Sequence, residues 1–452
     1  MKEDRLLKKS ILFLVSVAVG CACGAGVYDI TQFGAHEGDE LQTAAIQRAI
    51  DAAFKAGGGE VRVPEGVFRT GCIRLRSGVT LHLMGGATLE GSRNPEDYED
   101  WKSDAVEPVP PMTEEEAKRS RSTVAQSRWC NGLVRAYRAH DIAIVGEPHS
   151  TINGMNCFDA VGEEKYRGPH AISMWYCTNV VLRGYAIRDS ANWAHAIFVS
   201  SNIVAEAVRV YGGHDGFDVR TCDDVRVERC VFKTGDDAIA GFDNIGVAIR
   251  DCVLDAACSA LRFGGTDVLI ENCRGTAPAP YGHRWKMDPG AKRLSLNDGR
   301  LTRHNMHNGF LYYCDNRAVI RRPPGNILMR NCVFRNADRI FSLEFDGRHI
   351  WCCNRSLNSI VFENCTFDGV CMPLFVHGDA KEPLALTMRG CTVSARAGCG
   401  QQPVADVRNF SCIAFTDTTW RNYAAPRLVA RTPGDIAVKG GTPVEVSRPS
   451  AE

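Results

Sequence analysis

Three aspartates carry the clearest chemistry in this sequence. Asp215 lies in Gly213-His214-Asp215-Gly216, and Asp236 and Asp237 lie in Thr234-Gly235-Asp236-Asp237, with Asp215 and Asp236 21 residues apart. Carboxylates brought together repel one another, so at least one is expected to hold a proton near neutral pH while a partner stays ionised. Such an acid can protonate a glycosidic oxygen while the partner activates a water, the minimum for inverting glycoside hydrolysis. Ca2+ is the competing use for the same hard oxygen atoms. Asp223 and Asp224 read instead as a solvated turn, and Asp218 and Asp243 as acceptors for local backbone amides.

The elements that must position these acids announce themselves as a repeat. An octet recurs at 225–232, 247–254, 327–334 and 360–367, with shorter copies at 268–273 and 386–391 and degenerate ones beginning at Val180 and Ile203. Its sixth positions are Tyr185, Val208, Cys230, Cys252 and Cys273, at steps of 23, 22, 22 and 21 residues. Apolar and polar residues alternate within each octet, the mark of a half-buried strand. The Asn, Gly or Asp before the sixth position suits a left-handed turn residue. A period near 22, with no helix between strands, predicts an all-β fold: a single-stranded, right-handed parallel β-helix. Coils stacked about 4.8 Å apart then place Asp215 and Asp236 on neighbouring rungs and stack the cysteines inside. A leucine-rich solenoid lacks its Leu-x-x-Leu-x-Leu frame here, and a propeller would repeat over about 40 residues or more.

A solenoid must cover its ends. Residues 43–56 form an amphipathic helix, stopped by Gly57-Gly58-Gly59, and are expected to cap the N-terminal end. Two stretches break the period, about 94–127 and 277–318, and are expected to leave the coil as loops walling a groove. With no convincing linker, 27–452 reads as one domain. Residues 1–26 read as a signal peptide, with Lys2, Arg5, Lys8 and Lys9 before an apolar run too short to span a bilayer. The expectation is a secreted, periplasmic or cell-envelope protein, with lipidation at Cys21 as the rival to cleavage and no membrane span. Of the 20 cysteines, six recur at the sixth position of the repeat, which points to stacked core thiols; Cys352 with Cys353, and Cys399 with Cys412, are the looser disulfide candidates. Lys plus Arg and Asp plus Glu balance at 53 each, which argues against a nucleic-acid partner. A monomer is expected.

Taken together, these residues resemble the polygalacturonase-like glycoside hydrolases of family 28. That family's Asn-Thr-Asp-Gly and Gly-Asp-Asp motifs correspond to 213–216 and 235–237. Residues 28–35, the capping helix and 71–92 look like its N-terminal coils, and Asn192-Trp193-Ala194-His195 sits where it often carries a similar stretch. The resemblance covers roughly 27–275. It implies Asp236 as general acid, Asp215 and Asp237 as the pair holding the water, inversion, and no metal or other cofactor. Two elements differ. The family's Gly-His-Gly reads Ala257-Cys258-Ser259-Ala260 here, and its Arg-Ile-Lys element is replaced at best by Arg262. The substrate is therefore expected to be a pectin-like or other acidic or deoxy-sugar polysaccharide or oligosaccharide. His195, His214, Arg262, Trp193, His283 and Arg284 are the residues expected to bind it, the last two from the second loop with Tyr281, Trp285, Lys286, Arg303, His304 and His307 nearby. A polysaccharide lyase using Arg262, and a glycan-binding protein without catalysis, are the alternatives.

Overall fold

The computed structural model describes residues 26–98, 131–162, 166–283, 304–314, 320–345 and 355–449. The expected signal peptide with Cys21, most of the first loop, Arg284, Trp285, Lys286, Arg303 and the Cys352/Cys353 pair lie outside the described residues.

Alternation decides where each strand points. In Val79–Leu83, Ala87–Gly91 and Leu384–Arg389, every second side chain is buried. Each strand pairs in parallel with its equivalent on the next coil, as in Phe217↔Ile239 and Ile239↔Leu261, a step of 22 residues. The strands form three columns. Among the described residues one is a 12-stranded sheet, and the other two fuse into a 25-stranded sheet because two long strands bend through both.

The fifth octet position is left-handed in every copy. Asp251, Asn272, Asn331 and Asn364 have φ between 52° and 55°, and Gly184 and Gly390 are also positive. Arg229 and Ala207 adopt the same conformation at 54° and 53°, although such residues rarely do. The coil therefore imposes this corner even where the residue type does not favour it. The sixth positions turn inward as expected: Tyr185, Val208, Cys230, Cys252, Cys273, Cys332, Cys365 and Cys391 are all buried. The thiols satisfy themselves on the backbone; Cys252 donates to Arg250 O at 3.1 Å and to Val227 O, one coil back, at 3.6 Å.

The cap is helix α1 (Thr43–Lys55), which buries Ala45, Ile46, Ala49, Ile50 and Ala53 over the first coil. Two expectations need correction. Cys399 pairs with Cys371 rather than Cys412, because the turns carrying Cys371 and Cys399 stack on adjacent coils, with Cα atoms 5.0 Å apart. The second loop ends earlier than 318: Asn308–Tyr312 is a coil strand, paired to Ser259–Phe263 on one side and 339–342 on the other. The departure is pinched by Ala279 N donating to His304 O at 2.8 Å. Among the described residues no helix is long and apolar enough to cross a membrane.

Candidate active site

The site lies where turns enter one column of the fused sheet. Its strands are β1 (His195–Phe198), β2 (Phe217–Arg220), β3 (Ile239–Arg250) and β4 (Ser259–Glu271). Asp215 precedes β2, and Asp236 and Asp237 precede β3. The 22-residue register, not the 21-residue spacing, sets their relation. Asp237 N donates to Asp215 Oδ1 at 3.2 Å, and Ser259 N donates to Asp237 Oδ1 at 2.9 Å. Asp215, Asp237 and Ser259 thus form one column, while His214, Asp236 and Cys258 form the next. An oxygen from each of the three aspartates lies within 4.8 Å of the others.

Burial divides the acids. Asp215 and Asp237 are 2% exposed, whereas the Asp236 side chain keeps 16% of its surface. Arg262, from β4, donates to Asp237 and approaches Asp215 at 3.4 Å and Asp218 at 3.8 Å. It is committed to the acids, stacked 4.4 Å from the Tyr313 ring, rather than standing ready for a substrate carboxylate. Asp236 meets other partners: His283 Nε2 at 3.4 Å from Oδ1 and the Arg167 guanidinium, Nη2 at 3.4 Å from Oδ2.

These surroundings pull the acids apart. Burial pushes Asp215 well above the usual carboxylate range, and the Asp236 and Asp237 charges push it further. Burial also raises Asp237, with Arg262 opposing. For Asp236 burial again raises, but the charge and hydrogen bond of His283, then Arg167 and Arg262, outweigh it and hold the group ionised. These surroundings favour a proton on Asp215 and disfavour one on Asp236, the acid that the family resemblance implies.

Among the residues expected to bind substrate, His283 lies against the acids and Arg262 lies beneath them. His214 is 3% exposed, with its ring facing Tyr166 at 6.5 Å. His195 and Trp193 are corrected by burial. His195 points into the coil, where its ring nitrogens meet the Tyr185 hydroxyl at 3.0 Å and Gly216 O at 2.9 Å. Burial lowers its pKa to about 4, so it is a neutral core histidine. Trp193 packs with Trp175 and Phe198 and covers the Arg220 guanidinium at 4.5 Å, so its ring is no platform for a sugar. Asp218 grips Arg220 through two hydrogen bonds of 2.8 and 2.9 Å instead of local amides. Asp243 accepts from the Arg321 amide and side chain, and Asp223 pairs with the same arginine.

Sequence reading missed Arg167 and Tyr313. Neither lies in a motif; Arg167 sits in Tyr166-Arg167-Gly168-Pro169, where a Cβ on Gly168 would fall 2.0 Å from Cys157 O. That close approach fixes the turn that aims the guanidinium. A glycine contact also places His283: a Cβ on Gly235 would lie 2.3 Å from Gly282 O and 2.8 Å from Gly213 Cα.

Residues 130–275 match the family described as "Right handed beta helix region". A probable polygalacturonase of Vitis vinifera is 27% identical over 245 residues, 50% of this chain and 47% of the relative. The exo-poly-alpha-D-galacturonosidase of Dickeya chrysanthemi is 28% identical over 250 residues, 47% of this chain and 41% of the relative. The chain is thus a β-helix protein with a distant similarity to polygalacturonases. It spans less than half the length of either curated relative. The family 28 exopolygalacturonase of Yersinia enterocolitica superposes with a TM-score of 0.64 over 93% of this chain and 79% of that one, at 17% identity, a likeness of fold alone. In this polygalacturonase-like frame the coil position of the expected histidine is Cys258, and the imidazole beside the acids arrives from the loop, on His283.

Proposed function

We propose that the chain hydrolyses O-glycosidic bonds in a uronate-bearing, pectin-like polysaccharide and acts outside the cytoplasm. The observation that carries this reading is the convergence of Asp215, Asp236 and Asp237 within 4.8 Å in three different electrostatic settings. Pairs of titratable groups pushed apart by their surroundings mark acid and base roles. The similarity to polygalacturonases supports the same chemistry, and the basic-apolar start of the sequence supports export.

In the proposed mechanism Asp236, the most exposed acid, faces the glycosidic oxygen. In the free chain His283 and Arg167 keep it ionised. A substrate carboxylate that engages Arg167 and His283 in place of Asp236 removes their stabilisation and adds a negative charge, and both changes raise Asp236 into its acid form. Asp237, paired with Arg262, then takes the proton of the attacking water, which Asp215 helps to hold. The nearest oxygens of the acids lie within 4.8 Å of one another, closer than the separation of about 6.5–9.5 Å usual in inverting enzymes, so inversion rests here on the likeness to polygalacturonases and is left to product analysis.

Product analysis on a polysaccharide panel tests the reading. Hydrolysis gives new saturated reducing ends, and proton NMR of the first product should show the inverted anomer. Asp236→Asn should lower kcat by about 10²–10⁴, and methyl-esterified substrate should be turned over more slowly than the free acid. An ultraviolet-absorbing unsaturated end would instead indicate elimination. Binding without any cleavage would make the chain a glycan-binding protein.

A further inference from the structure

Hydrolysis has no use for the thiol of Cys258, yet that thiol lies beside Asp236. It follows Asp236 by one coil in the same column, and His283 reaches the pair from the loop. An oxygen of Asp236, Sγ of Cys258 and a ring nitrogen of His283 all lie within 4.8 Å of one another. We propose that Asp236, Cys258 and His283 form a binding site for a single Zn2+ ion.

The donor set selects the metal. Thiolate and imidazole together favour zinc over Ca2+ or Mg2+, which take oxygen shells. Ligands of a tetrahedral zinc ion at about 2.0–2.3 Å stand about 3.3–3.8 Å apart, so shifts of about one ångström close the present triangle. Three protein ligands leave a fourth position to water. The triangle is also supported: Gly282 packs on Gly235 with no room for a Cβ, which fixes the backbone next to His283. Arg167 holds Oδ2 of Asp236, on the far side from the 3.4 Å approach of His283 to Oδ1. Asp236 and His283 keep 16% and 14% side-chain exposure, and Cys258 is partly exposed, so an ion has a route in from solvent. On binding, the Cys258 thiol gives its proton to solvent, so affinity rises with pH. The consequence for activity rests on the hydrolytic reading: a bound ion occupies Asp236 and blocks catalysis.

The test uses the reduced, metal-stripped full chain with Co2+ as probe, without substrate. One equivalent should give an intense near-ultraviolet thiolate-to-cobalt band, removed when Zn2+ is added. Cys258→Ser, nearly isosteric, should abolish the band, and Cys258→Ser and His283→Ala should each weaken Zn2+ binding by at least about 10–100-fold. In the unaltered chain Zn2+ should slow alkylation of Cys258, read by peptide mass spectrometry. A band that persists in Cys258→Ser, no band at all, or Ca2+ displacing Co2+ at equal concentration would overturn the site, the last because it would place the ion on the three aspartates. Absence of hydrolysis on every polysaccharide, with the cobalt band intact, would refute the proposed function and leave the zinc site standing.

Discussion

Replacing Arg262 with methionine separates the charge of this side chain from its bulk. The guanidinium is 8% exposed and reaches Asp237, Asp215 at 3.4 Å and Asp218 at 3.8 Å. Methionine keeps a flexible apolar chain against Tyr313, and Asp218 keeps Arg220. What is lost is the counter-charge for Asp215 and Asp237. Removing one partner of a buried ion pair costs about 3–5 kcal/mol, and that is the expected loss at pH 7. The loss should depend on pH with a definite sign. Burial already lifts both carboxyls above their unfolded values, and without Arg262 they rise further. An acid whose folded pKa exceeds the unfolded value of about 3.9 folds without penalty only when protonated, so stability falls as pH rises above that value. The slope is about 1.4 kcal/mol per pH unit for each proton. One extra proton retained in the variant between pH 5 and pH 7 therefore removes up to about 2.7 kcal/mol of the difference at the lower pH. Urea unfolding followed by tryptophan fluorescence at pH 5, 6 and 7 should show Arg262→Met approaching the unaltered chain as pH falls. A difference independent of pH, or smaller than about 1 kcal/mol at pH 7, would refute the assignment of Arg262 as counter-ion to the cluster.

Gly235→Ala should cost about 1–3 kcal/mol through overpacking against Gly282 and should lower kcat more than it raises KM, since it displaces His283; steady-state kinetics beside a melting curve checks both. Cys371→Ser should remove about 3–4 kcal/mol from the chain-entropy term of a 28-residue separation, read as a lower urea midpoint than that of the oxidised chain. His195, held neutral by burial with a pKa of about 4, should make stability fall as pH drops from about 6.5 to 4, by about 3 kcal/mol in all, because only the unfolded chain gains that proton. His195→Gln should flatten this part of the pH–stability curve by about one proton. In a Cys258→His background, His283→Ala should cost less activity than it does alone, as a double-mutant cycle would show.

How much of this was legible in the sequence follows from what fixes each feature. The coil was legible because alternation and the fifth-position turn are local, and each repeats until the period is plain. Even Arg229, a poor left-handed residue, takes that corner because its neighbours on adjacent coils dictate the path. The columns of the site were nearly legible. The spacing of 21 pointed to Asp215 and Asp236, but hydrogen bonds run at 22, so the acid one position later shares the column. A slip of one residue exchanges two side chains that differ most in exposure, and no periodicity argument resolves it. The facing of His195 and Trp193 was lost for a related reason: both read as polar or aromatic residues near a motif, but β1 turns His195 inward to Tyr185, and Trp193 covers Arg220.

The cations around Asp236 show where sequence reasoning stops. Arg167 and His283 are separated from it by 69 and 47 residues and come from segments that break the repeat, so the register says nothing about where they return. A histidine on the coil would be placed by the same ladder that places the acids. One carried on a loop depends instead on backbone contacts, here Gly282 against Gly235 and the Ala279–His304 pinch. That difference has an energetic consequence. The coil acids are positioned by the ladder of parallel pairings, whereas His283 is carried outside it, on a segment that packs on the coil through Gly282. The proton affinity of the most exposed acid thus depends on a neighbour that the coil ladder does not place, and a substrate or a metal ion that engages His283 changes the chemistry of Asp236 without moving the coil.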